Sequence, residues 1–195
     1  MQPAITITST HELAADPARL SPAERALAGE HRRQRRDEWI RGRLAMRAAL
    51  VALLGADAAT IDILVAPDAA PLLVGGPACA ISLSHDESWL AVAVVAGPCR
   101  LGIDLCARSH GDQASRVLRR LGIRHDCEPV AAWAALETVL KLRRLGVLEL
   151  RERTSAVVGD RDQARVTVVG LGAPAQVTLR SSADHVVGWA IESAL

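Results

Sequence analysis

Three residues have types and spacing that could do chemistry together. Asp104 lies in the apolar stretch LGIDLC (101–106), where a buried charge is costly unless a partner meets it. Leu101, Ile103 and Leu105 alternate to one face of a short buried strand there, leaving Gly102, Asp104 and Cys106 on the other. Glu137 and Lys141 follow Trp133 at steps of four in WAALETVLK (133–141), so all three share one face of a helix. A strand carboxylate facing a helical carboxylate is how proteins hold Mg²⁺ with one or two acids plus substrate phosphates. Plainer readings stand beside this one. Glu137 four residues before Lys141 is the favoured orientation of a helix-stabilising ion pair, and LGIDLC is a mere core strand if Asp104 finds a backbone donor.

Composition sharpens the interest in Lys141. Of 23 basic residues it is the single lysine, the rest being arginine, and neither Phe nor Tyr occurs. Drift from Lys to Arg wherever a generic cation serves would leave a lysine only where a compact ammonium is needed, for example to donate a proton. Chance survival is the alternative. Half of the 195 residues are hydrophobic, enough for a sizeable core. The net charge of +1 argues against a dedicated nucleic-acid binder. No run approaches the roughly 18 apolar residues of a membrane span, and the N-terminal stretch lacks the regions of a signal peptide. Cys79, Cys99, Cys106 and Cys127 show no CxxC spacing, so reduced cytoplasmic thiols are expected. Cys106, His110, His125 and Cys127 could be assembled as a zinc set only with unusual spacing.

The elements that must position these residues follow from pattern. Residues 21–54 read as helical, with Ser21 as N-cap and Pro22 at the first helical position. A strand is expected at 61–66, a loop at 67–77 and a hairpin over 80–95. The strand 101–105 follows, then a polar stretch with a short helix near ASRVLRRLG. A longer helix spans about 129–145 from Pro129, and TSAVVG, ARVTVVG, AQVTLR and HVVGWAIES read as antiparallel strands. Gly42 weakens the first long helix or marks close packing. The halves resemble each other: Trp39, Arg43 and Arg47 recur 94 residues later as Trp133, Glu137 and Lys141, and ISLSHD (81–86) recurs 96 later as VTLRSS (177–182). An ancient duplication is implied, giving an α+β fold of two similar α/β halves, 1–97 and 98–195, about a pseudo-twofold axis.

GIDL (102–105), WAALETVLK (133–141), SLSHD (82–86) and WIRGRLAMR (39–47) occur in the order and spacing of the 4′-phosphopantetheinyl transferases. The chain resembles the two-subdomain type that includes the surfactin-synthetase activator, from Ser21-Pro22 to Trp189. The resemblance implies a pseudo-twofold α+β fold and transfer of phosphopantetheine from coenzyme A to a serine of an acyl or peptidyl carrier protein, releasing 3′,5′-ADP. By position, Asp104 and Glu137 would hold Mg²⁺ against the pyrophosphate, with Glu137 also placed to accept the serine proton. Lys141 would stabilise or protonate the leaving side. His85 and Ser84, with Arg25 and Arg43, would contact coenzyme A, whereas Arg47 would order a helix–strand junction. His85 could equally be a turn histidine, and the arginines of 32–43 a solvated helix face.

The chain also departs from that pattern. Cys106 stands where the family usually has a second strand acid, and a thiol is a poor Mg²⁺ ligand. Leu136 replaces a lysine beside the helical glutamate, and Ala69-Ala70-Pro71 replaces a glycine-lysine-proline phosphate contact. Beyond Ser21-Pro22 the usual lysines are missing; Glu24 and Leu27 occupy their region and Arg25 is the nearest cation. A second expectation follows: a non-catalytic protein of the same fold that binds a carrier protein or biosynthetic enzyme.

Overall fold

A computed structural model describes residues 2–66, 70–86, 88–150, 153, 155–160, 162–170 and 172–193. Pro67, Asp68 and Ala69 of the expected loop, Glu87 of the expected hairpin and Thr154 of an expected strand lie outside these. The chain is mixed α+β and divides into two compact units, one running to Cys99 and the other from Arg100 to Ser193. No helix of the described residues is long and apolar enough to cross a membrane.

The first unit contains β1 (Ala4–Ser9), α1 (Pro22–Gly29), α2 (Arg33–Leu54), β2 (Asp62–Val65), β3 (Pro71–Val74), β4 (Cys79–His85) and β5 (Trp89–Ala96). One three-stranded sheet has the order β1-β5-β4, antiparallel throughout, and β2-β3 forms a separate antiparallel pair. The 80–95 hairpin forms as expected, and its turn is held by Asp86, whose Oδ1 accepts the N–H groups of Ser88 and Trp89. Ala45, Met46, Ala49 and Leu50 of α2 pack on Ile81, Leu90, Val92 and Val94 of the sheet. Gly42 belongs to that contact: a Cβ there would stand 3.0 Å from Leu83 Cδ2.

Three expectations for this unit are corrected. The helical segment 21–54 is two helices, because the chain leaves helical geometry after Gly29 and Arg32 is extended (ψ 152°). Glycine is a poor helix former, and the break folds α1 back on α2. The expected loop 67–77 contains β3, whose pairing with β2 overrides its Pro and Gly signals. β1 was not anticipated; it is ordered by pairing along β5 from Ala4↔Val94 to Ser9↔Trp89.

The second unit contains β6 (Cys99–Ala107), α3 (Gly111–Arg120), β7 (Arg124–His125), α4 (Pro129–Arg143), β8 (Ser155–Gly159), β9 (Gln163–Val168), β10 (Ala175–Ser181) and β11 (His185–Ser193). Its six-stranded sheet has the order β6-β11-β10-β9-β8-β7. The last four strands form an antiparallel meander, while β7 pairs with β8 in parallel. The short helix expected in the polar stretch after β6 is α3, and the stretch also contains β7, which was not anticipated. α4 lies on the sheet, and its alanines, Val130, Leu136, Val139, Leu140 and Leu142 fill the core with Val157, Val166, Val177 and Leu179.

Candidate functional site: a carboxylate–lysine cluster on β6 and α4

The placement of Asp104 begins with two glycines. A Cβ on Gly102 of β6 would collide with the Thr138 carbonyl oxygen and stand 2.9 Å from Leu142 N, so only glycine lets the strand lie this close to α4. Gly188 of β11 does the same beside it: a Cβ there would be 2.9 Å from Thr138 Oγ1, whose hydroxyl donates to the Gly188 carbonyl at 2.9 Å. α4 is therefore seated almost directly on strand backbone. Asp104, two residues beyond Gly102 and on the same face, is carried to the helix surface bearing Glu137 and Lys141.

There Lys141 Nζ donates to Asp104 Oδ1 at 2.8 Å. The Asp104 side chain is 7% exposed and the Lys141 side chain 31%, so the pair has a buried end and an open end. Glu137 lies one helical turn before Lys141, and burial pushes its carboxyl up to about 7. The Asp104 carboxylate pushes in the same direction, and the Lys141 ammonium opposes both. Three of the expected site residues are thus brought together: two carboxylates, one of them poised to exchange a proton near neutral pH, and the chain's single lysine.

Cys106 completes the pattern differently. It is buried, belongs to the apolar core with the α4 alanines, and its thiol points to the Ala107 carbonyl at 3.7 Å. Leu136 is fully buried in the same core. Among the described residues no three His, Cys, Asp or Glu side chains gather into a metal-binding group. His125 Nδ1 meets the Cys127 carbonyl at 2.9 Å, and the zinc set does not assemble. The donor set at β6 and α4 is two carboxylates. Their hard oxygens suit Mg²⁺ as one half of a shell whose remaining places go to phosphate oxygens and water.

The other four expected residues lie in the first unit. Arg25 is exposed on α1, and its guanidinium donates to the Leu20 carbonyl. Ser84 is buried and His85 exposed at the end of β4; as neighbours on a strand they point to opposite faces. Arg43 is only 5% exposed and stacks 4.5 Å over the Trp39 ring. Its Nε and Nη1 make no hydrogen bond within the described residues. Burial lowers its guanidinium to about 10, with Glu24 opposing the shift and Arg47 adding to it. Of the arginines at 32–43, those at 32, 33, 35 and 36 are exposed, whereas Arg41 donates to the Leu13 carbonyl.

Sequence reasoning noted Glu24 only as standing where lysines are usual and missed its structural role. It forms a capping box with Ser21, its carboxylate is fully buried, and it accepts Arg47 Nη2 at 2.6 Å and the Ile63 N–H at 3.1 Å. Arg47 also donates to the Ile61 carbonyl, so it ties α2 to α1 and to the start of β2. The Ser-Pro-Ala-Glu run was the available signal. Compared with known proteins, the chain matches no family model and no curated protein.

Proposed function

We propose that the chain is a cytoplasmic, Mg²⁺-dependent 4′-phosphopantetheinyl transferase of the two-subdomain type, modifying a serine of an acyl or peptidyl carrier protein. One observation carries the reading: Asp104, Glu137 and Lys141 meet on a strand and a helix that bear the family's two motifs. The strand orders β1-β5-β4 and β6-β11-β10 match, and β10 begins 96 residues after β4. This supports an internal duplication.

In this reaction the serine Oγ bonds to the phosphorus bearing pantetheine as the bond from that phosphorus to 3′,5′-ADP breaks. Glu137 takes the serine proton, directly or through water, and its position between neutral and ionised forms near pH 7 suits a base. Lys141 offsets charge on the departing phosphate and can give it a proton. Mg²⁺ at Asp104 and Glu137 would neutralise the pyrophosphate. For coenzyme A the resemblance assigns Arg25, Arg43, Ser84 and His85; the unused N–H groups of buried Arg43 favour an anionic partner.

The core position of Cys106 favours a second reading, in which the fold binds a carrier protein or biosynthetic enzyme without catalysis. Mass spectrometry of carrier proteins incubated with the chain, coenzyme A and Mg²⁺ separates the two. Transfer predicts a gain of one phosphopantetheine that disappears with Asp104→Asn or Glu137→Gln. No gain on several carriers, together with a stable protein–protein complex, would replace the transferase by the binding protein.

A further inference from the structure

The ammonium of Lys141 stands where a metal-binding carboxylate is needed. Its nitrogen is 2.8 Å from Asp104 Oδ1, and Asp104 is the buried member of the pair. A carboxylate that is 7% exposed presents little further surface to an incoming ion, whereas the lysine stem is 31% exposed and can swing outward without opening the core. Lys141 lies in the last turn of α4, where a cation is favoured even without Asp104. It therefore has somewhere else to be.

We propose that Lys141 is a tethered competitor for its own metal site, holding Asp104 until a divalent cation displaces the ammonium outward, towards the phosphate it will serve. The proposal rests on the assignment of Asp104 and Glu137 as Mg²⁺ ligands and adds an order of events: the lysine becomes available only once the cation has arrived. An arginine would serve this purpose poorly. Its planar fork can grip a carboxylate through two parallel hydrogen bonds, and even in the first unit, where Arg47 spends Nη1 on the Ile61 carbonyl, its Nη2 alone meets both oxygens of Glu24 at 2.6 Å. A lysine makes a point contact that a divalent ion can outcompete. The composition fits this account, since the one lysine that remains among 23 basic residues is at the one place where a cation must let go.

Because the chain has a single lysine, its side chain can be followed directly. Mn²⁺ alone serves as probe, with free ion measured by electron paramagnetic resonance for the unaltered chain and for Lys141→Met. In parallel, an amine-reactive ester labels Lys141, read by peptide mass spectrometry against the N-terminal amine, with Mn²⁺ or with NaCl of equal ionic strength. If the lysine occupies Asp104 about nine-tenths of the time, removing it tightens Mn²⁺ binding roughly tenfold. Labelling of Lys141 should then rise several-fold as Mn²⁺ saturates. Mn²⁺ bound with unchanged affinity by Lys141→Met, or labelling indifferent to saturating Mn²⁺, would overturn the competition while leaving the metal site in place. Failure of both proteins to bind Mn²⁺ would overturn the competition and the metal assignment together. A melting curve for Lys141→Met, matching that of the unaltered chain, verifies that a folded protein is being read.

Discussion

On α2, Arg47 reaches Glu24, whose carboxylate has no exposure and whose partner retains 12%. On α4, at the matching place in the same Trp, i+4, i+8 spacing, Lys141 reaches Asp104 and leaves nearly a third of its own side chain in solvent. Both pairs join a helical cation to an acid from another element, yet they differ in closure. Glu24 also caps α1 and accepts the Ile63 N–H, so the first pair binds two helices and a strand into one knot. The second joins a strand and a helix already held together by Gly102, Gly188 and Thr138. Burial with several hydrogen bonds to separate elements makes an ion pair architectural; partial exposure of one end makes it available for chemistry.

Glu24→Gln should test this contrast most severely. It removes the buried negative charge that meets the Arg47 cation, with an expected loss of about 3–5 kcal/mol in urea unfolding. Lys141→Met should cost clearly less, as the Lys141 side chain is 31% exposed and its end of the pair is open to water. Equal losses would erase the distinction between a closed and an open pair. Gly102→Ala comes next, with an expected loss of about 3 kcal/mol because the added methyl meets helix backbone, which cannot yield as a side chain would.

The smallest effect is the most diagnostic. Glu137 has a carboxyl raised from 4.5 to about 7 in the folded protein. Below about pH 4 both states are protonated and the group contributes no penalty. Between about pH 4.5 and 7 the unfolded chain ionises this group while the folded protein still holds its proton, so stability falls across that window and levels off above it. Glu137→Gln should therefore melt higher than the unaltered chain at pH 8 and at nearly the same temperature at pH 4. A difference independent of pH would mean that the side chain acts through packing alone.

How much could be read beforehand depended on the reach of each interaction. Pro129 announced the start of α4, Asp86 and its neighbours gave the β4–β5 turn, and alternation and fourfold spacing put Asp104, Glu137 and Lys141 on facing surfaces. All of these are local patterns. β1 and β3 were missed because their order comes from pairing with strands elsewhere, against weak or contrary local signals. The structural role of Glu24 escaped notice because its main partners lie 23 and 39 residues away. The helix break at Gly29 was invisible for a related reason. Periodicity runs through it, while the benefit of breaking lies in bringing Glu24 to Arg47, which a straight helix would leave about 35 Å apart.

The contact of α4 with strand backbone at Gly102 and Gly188 also bears on how this chain can change over time. Two main chains touching through absent side chains form a ruler whose length does not depend on what fills the rest of the core. Aromatic volume can be lost, as the lack of any Phe or Tyr suggests it has been, and lysines can turn into arginines across the surface. The distance from Asp104 to Lys141 is set elsewhere, by two residues with nothing left to mutate smaller.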